Sequence, residues 1–244
     1  MKFNNIIIST TLGLAFVSLL AACSKDHGNT ARANVDTDFS NKATLQVFNA
    51  SLNTQRNFVY MDGGRLSGTS MTYTAASYLA SGLIYAVPAG LHSFLVKDTL
   101  GTSTQPPLAF AENLQANKHY SVFVYDTMKN VKQITVEDEI VIPDDESTMI
   151  RFANFRWSRT GTPANVDVFS KNLNDNILTN VPYTTVTEFF AQPTGLTDSL
   201  FVRETGTTTN LASGGFTFLP KKSYTLLYRG SDSWAKTLSA FSNN

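Results

Sequence analysis

The strongest constraint on this chain is that it repeats itself. Residues 43–140 and 147–244 are each 98 residues long and align with small gaps. Thr44-Leu45-Gln46-Val47-Phe48 matches Thr148-Met149-Ile150-Arg151-Phe152, and Asn57-Phe58-Val59-Tyr60 matches Asn165-Val166-Asp167-Val168. Tyr78, Pro88, Gly90 and Leu91 match Tyr183, Pro193, Gly195 and Leu196, with the same ten-residue spacing from Tyr to Pro. Lys118-His119-Tyr120-Ser121-Val122 matches Lys222-Ser223-Tyr224-Thr225-Leu226. So many matches in one order describe two copies of one domain. A proline and three acids, Pro143-Asp144-Asp145-Glu146, suit an exposed linker between them at 141–146.

Each copy is expected to be all-β. Short runs rich in Val, Phe, Tyr, Thr and Leu recur between turn signals. In the first copy they fall near 44–49, 57–61, 75–79, 83–87, 91–98, 108–113, 119–125 and 131–138. Asp62-Gly63-Gly64 and Pro88-Ala89-Gly90 have the chemistry of turns. Nothing after residue 23 holds an apolar 3.6-residue period for three turns. Ser121-Val122-Phe123-Val124-Tyr125 is apolar on both parities, as expected of strands inside a sandwich core. Leu114 and Phe218 each precede a strand-opening tyrosine, Tyr120 and Tyr224, by six positions. That spacing resembles the tyrosine corner of Greek-key sandwiches, whose phenol bonds back to upstream backbone. The expectation is two tandem immunoglobulin-like β-sandwiches.

The N-terminus carries a different signal. Lys2 is followed by a mostly apolar stretch from Ile6 to Leu20, and Leu20-Ala21-Ala22 then precedes the only cysteine, Cys23. That order resembles a bacterial lipoprotein signal. It implies cleavage after residue 22, diacylation of the Cys23 thiol and a membrane partner reached through that lipid anchor. A spanning helix needs about 20 apolar residues, and Ser9, Thr10 and Thr11 interrupt this shorter stretch. Residues 23–42 are then the lipidated cysteine and a polar, disordered tether, about 25 Å end to end over its nineteen residues. The location implied is the outer membrane of a cell envelope, on either face.

Several of these segments together resemble a known bacterial family. They are Asn49-Ala50-Ser51, Phe58-Val59-Tyr60-Met61-Asp62-Gly63, Tyr78, Val87-Pro88-Ala89-Gly90-Leu91-His92 and a Tyr-led late strand. The family is the one known as domain of unknown function 4397, found in tandem in secreted proteins and lipoproteins. The resemblance covers nearly all of 43–244 and is better in the first copy. The second has Asn154-Phe155-Arg156 for Asn49-Ala50-Ser51 and Ser170-Lys171 for Asp62-Gly63. It implies an immunoglobulin-like sandwich in the cell envelope, and it carries no catalytic residues.

Composition excludes several chemistries. The 19 basic and 19 acidic residues cancel, which argues against a nucleic-acid partner. One cysteine excludes an intramolecular disulfide or a multi-cysteine zinc site. His27, His92 and His119 have no metal-ligand spacing, and no nucleophile elbow, phosphate loop or dinucleotide fingerprint occurs. No catalytic residue, metal or cofactor is expected. Glu137-Asp138-Glu139 and Asp144-Asp145-Glu146 are acids beside the linker, where solvation is their ordinary use.

The copies differ most between Phe152 and Asn165, where the second has four extra residues relative to Phe48–Asn57. Trp and Arg are the residues of binding hot spots, and an exposed Trp face stacks on sugar. Phe155, Arg156, Trp157 and Arg159 in this loop are therefore the candidate ligand-binding residues. The alternative is that Trp157 folds back over the end of the sandwich. The second copy is also the basic one, with 9 basic and 6 acidic residues against 6 and 7 in the first. The expected function is non-enzymatic adhesion or recognition of a glycan or envelope protein. The alternatives are a spacer or accessory subunit and, further off, a glycoside hydrolase.

Overall fold

The computed structural model describes residues 38–54, 56–73 and 83–243. Cys23, the signal segment, the tether as far as residue 37, Tyr78 and the strand expected at 75–79 lie outside the described residues. From Phe39 onward the chain is one compact unit. The described residues contain sixteen strands and no helix.

The first half runs β1 (Lys42–Asn49), β2 (Asn57–Met61), β3 (Gly64–Arg65), β4 (Leu83–Pro88), β5 (Gly90–Asp98), β6 (Leu108–Leu114), β7 (His119–Tyr125) and β8 (Lys132–Glu137). The second runs β9 (Thr148–Arg156), β10 (Val166–Ser170), β11 (Asp175–Val181), β12 (Phe190–Gln192), β13 (Asp198–Glu204), β14 (Asn210–Phe216), β15 (Ser223–Gly230) and β16 (Thr237–Ser242). Four four-stranded sheets result: β4-β1-β7-β8 and β3-β2-β5-β6, then β12-β9-β15-β16 and β11-β10-β13-β14. Adding eight to each label of the first pair reproduces the second pair. Parallel pairing of β1 with β7 recurs as β9 with β15.

Alternation along each strand builds the layers, because successive side chains point to opposite faces. Leu45, Val47, Val122 and Val124 meet Val59, Phe94 and Val96 from the facing sheet to form the first core. Ile150, Phe152, Leu226 and Tyr228 meet Val166, Val168, Leu200 and Val202 in the second. Between β2 and β3, Asp62 and Gly63 both adopt positive φ (49° and 80°), the two-residue turn whose twist matches a hairpin.

Each half also carries a serine–aspartate contact where its second strand ends. In the first half Asp62 accepts the backbone N–H of Ser93 at 2.9 Å and its hydroxyl at 3.2 Å. In the second, the hydroxyl of Ser170 donates to Asp198 at 2.5 Å. By the strand ladders Ser170 stands at the place of Met61 and Asp198 at that of His92, so the two contacts are local to their own halves. Asp62 has a further partner, His92 Nδ1 at 2.6 Å, while His92 Nε2 lies 2.9 Å from the Pro88 carbonyl. His92 thus bridges the Asp62 carboxylate and the turn between β4 and β5.

The hydrogen bond from His92, then that from the Ser93 amide, hold the Asp62 carboxyl below its usual range. A depressed carboxylate stabilises the fold above its unfolded pKa and loses that contribution as pH falls through the folded one. The melting midpoint is therefore expected to drop below about pH 4, and less steeply in Asp62→Asn than in the wild type. Parallel slopes in a thermal melt series would contradict this.

The tyrosine spacing acts as expected in both halves. The Gln115 N–H donates to the Tyr120 hydroxyl at 3.1 Å, and the Leu219 N–H to that of Tyr224 at 3.3 Å. Each bond ties the crossover between sheets to the strand that follows it. Tyr120→Phe is expected to cost about 1 kcal/mol, the net worth of one hydrogen bond, and urea denaturation reads it directly.

A third core lies between the two halves, where β4-β1-β7-β8 packs against β12-β9-β15-β16. Phe48, Ala50 and Phe123 meet Ala153, Phe155, Leu227 and Phe241. Phe48 stacks on Phe123 with centroids 4.7 Å apart, and Phe123 on Phe155 at 5.1 Å. The double-parity apolar run at 121–125 thus faces two cores. Val122 and Val124 belong to the first sandwich, and Phe123 belongs to the seam.

A buried polar network runs beside those rings. Arg151 donates from Nη1 to Asp138 (2.6 Å), from Nη2 to the Ser121 hydroxyl (2.6 Å) and from Nε to Thr225 (2.9 Å). Thr225 donates to Asn243 (2.8 Å), and Asn243 to Gln46 (2.8 Å), whose amide reaches the Ser242 carbonyl (2.9 Å). Asp138, expected to serve solvation, has a side chain only 2% exposed. Proximity to the linker in sequence did not place it in solvent, because the chain turns only after Asp138, whose N–H still bonds the His119 carbonyl.

Candidate functional site

At the end of the seam where β1, β7, β9 and β15 finish, the loops of both halves converge. β9 ends in Phe155 and Arg156, and the pairing with β15 continues one residue further, as the Trp157 N–H donates to the Gly230 carbonyl at 2.9 Å. Gly230 has φ +127°, and a β-carbon there would lie 2.6 Å from the Ala235 carbonyl oxygen and the Lys236 α-carbon. Only glycine allows that approach. It closes the 231–236 loop tightly, and the Ser231 hydroxyl accepts from the N–H groups of Ser233 and Trp234 at 3.2 and 3.1 Å.

The loop after β9 is tied to this hairpin by charge. Arg156 Nη2 forms an ion pair with Asp232, and the Ser158 hydroxyl donates to the same carboxylate at 3.0 Å. The Arg156 hydrogen bond, opposed by desolvation and helped by Ser158, holds the Asp232 carboxyl below its usual range. Asp232 is therefore a fixed anion with both neighbours donating. Arg156 keeps its Nε–H buried and without a protein partner.

Both tryptophans of the chain belong to this end. Trp157 is half-buried in the 157–160 loop, and Trp234 is 44% exposed in the hairpin. The first half supports Trp234 through Tyr73, which meets it edge-on at 6.1 Å and 87°. Tyr73 is itself fixed by Arg229, whose guanidinium lies 5.3 Å from its ring and donates to the Asn49 carbonyl at 2.9 Å. The Tyr73 hydroxyl is buried without a protein partner, and burial raises its pKa against the opposing charge of Arg229.

The four residues singled out from sequence separate into two sets. Phe155 is 1% exposed, locked between Phe123 and Tyr125 in the seam. Arg156, Trp157 and Arg159 lie in or beside the loop, with Arg159 exposed in a turn. Asp232, Trp234 and Tyr73 complete the surface and were not among the candidates. Trp234 had the same residue-type signal as Trp157, but its contact with Tyr73 joins positions 161 residues apart.

This surface offers an exposed aromatic ring, a half-buried second indole, an anion held by two donors and one exposed arginine, Arg159. Among the described residues no group of three His, Cys, Asp or Glu side chains is placed to hold a metal ion. A partly open hollow of about 110 Å³, lined by Leu173, Leu196 and Phe218 among others, lies at the opposite end of the second half.

No protein-family model matches the sequence, and no curated protein matches it. Among solved structures, a streptococcal virulence factor described for alpha-glucan binding is 11% identical with a TM-score of 0.27, over 83% of this chain and 97% of that one. The family 26 carbohydrate-binding module of Eubacterium rectale Amy13K, solved with maltoheptaose, is 12% identical at 0.25, over 82% and 96%. A family 41 carbohydrate-binding module from streptococcal virulence factors is 10% identical at 0.25, over 81% and 96%. Superposition at this level defines no common fold, so the site stands on its own residues.

Proposed function

We propose that this chain is a lipid-anchored, non-enzymatic recognition protein of a bacterial cell envelope that binds a glycan at the Trp157–Trp234 end. In this reading Cys23 carries the anchor, and the two halves are tandem immunoglobulin-like sandwiches of the kind the sequence resemblance implies. One observation carries it. The chain's only two tryptophans come to one end of one sheet, with Trp234 exposed and braced by Tyr73 from the other half. Sugar rings present C–H faces that stack on an indole and hydroxyls that need fixed polar partners. Asp232, Ser158 and Arg159 supply such partners beside the rings.

Trp157→Ala and Trp234→Ala are each expected to weaken capture on immobilised glycans more than about tenfold, with the melting midpoint nearly unchanged. Undiminished capture by both variants would overturn the site. If no glycan is captured by the wild type, the spacer reading gains instead.

A further inference from the structure

Nine large apolar side chains among the described residues are exposed, and seven of them lie at one end. Phe39 precedes β1, with its carbonyl accepting the Lys42 N–H. Leu91 follows the Pro88–Gly90 turn, and Leu196 follows the matching Pro193–Gly195 turn. These two equivalent leucines are 74% and 76% exposed and belong to neither sandwich core. Val141 and Ile142 lie on the link from the end of β8 to the start of β9. Leu173 and Leu219 cap the loops after β10 and β14.

The two halves point the same way, so these tips form one rim. Gln46, in the middle of β1, bonds Asn243 and Ser242 beside the start of β15. Asn49, at the end of β1, is reached by Arg229 near the end of β15. The starts of β1 and β9 are therefore at the same end, and Trp234 is at the other.

We infer that this apolar rim rests on the lipid surface in which the Cys23 anchor is embedded. The inference depends on the acylation of Cys23 proposed above. Fifteen residues separate Cys23 from Phe39, so the sixteen steps between them span at most about 56 Å at about 3.5 Å each. The folded unit begins at the rim with Phe39, so the rim is the end of the fold nearest to Cys23 along the chain. Apolar tips on both halves, five of the seven outside the hollow lined by Leu173 and Leu196, suit a partner that deforms around them, as lipid does, better than a shaped protein surface. The charges at this end are mixed: Lys118 pairs with Glu137 and Lys221 with Glu146. Docking is thus apolar, indifferent to anionic lipid and to salt. It also turns the Trp157–Trp234 surface away from the membrane.

The test uses the full lipidated chain in vesicles of phosphatidylcholine and phosphatidylethanolamine. Acylation consumes the native thiol, so Leu91→Cys, Leu196→Cys and Lys129→Cys each give one nitroxide site, the last in the exposed β7–β8 loop at the far end. Labels at 91 and 196 are expected to be several-fold less accessible to an aqueous nickel relaxant, and more accessible to oxygen, than the label at 129, in low and high salt alike. Equal accessibility of all three in chain that floats with vesicles overturns the docking and leaves the anchor standing. Dipolar coupling between labels on separate molecules means that a second copy covers the rim, and it also overturns the docking. Chain that neither floats nor carries acyl mass removes the anchor, and the docking with it.

Discussion

Replacing Arg151 with leucine is expected to destabilise the folded unit by about 3–5 kcal/mol. The guanidinium is 3% exposed and the Asp138 carboxylate 2%. Without Arg151, Asp138 keeps only Ser121 and is left as a buried carboxylate without its ion-pair partner, the expensive half of breaking a buried ion pair. Burial lowers the Arg151 pKa and Asp138 pushes it back up, so the two must be judged as a pair. The double variant Arg151→Leu, Asp138→Leu is accordingly expected to recover most of the loss, since apolar replacement of a whole pair is often neutral. Urea denaturation of the two variants decides this. A single variant costing under about 1 kcal/mol would show that solvent reaches the pair.

Phe155→Ala is the second large effect, again about 3–5 kcal/mol. Its ring stacks on Phe123 and lies 5.1 Å from Tyr125, so truncation opens a cavity that links both halves. The seam, rather than either sandwich core, loses contact. Unfolding of the wild type is expected to be one transition, and that of Phe155→Ala two, because the halves retain separate cores. Circular dichroism, which reports on both halves, together with emission from Trp157, which remains as the sole tryptophan in a Trp234→Phe background, would separate them. A single transition in the variant, with an unchanged midpoint, would place Phe155 outside the energetics of the seam.

These two residues also show where sequence reasoning stops. Strand positions, the Asp62-Gly63 turn and the Tyr120 and Tyr224 hydrogen bonds were legible because each is set by neighbours a few positions away. The seam was not. Two-parity apolar runs report burial on both faces, but they do not name the second partner. Its polar links join Gln46 to Asn243 and Arg229 to Asn49 across 197 and 180 residues, and no local pattern marks such a pair. Phe155 consequently resembled a loop hot spot and is a seam residue, while Asp138 resembled a surface acid. Half of the binding surface was hidden for the same reason, since Tyr73 reaches Trp234 only once the halves are docked.

The docked halves make the recognition surface a composite, and the two tryptophans give it a built-in probe. With both indoles at one end, tryptophan emission of the wild-type chain reports on that end alone. Titration with a soluble oligosaccharide that the protein captures is expected to give a saturable change in emission, reduced in Trp234→Ala and with weaker affinity. A captured glycan that leaves the emission of both tryptophans unchanged at saturation would contradict recognition at this site.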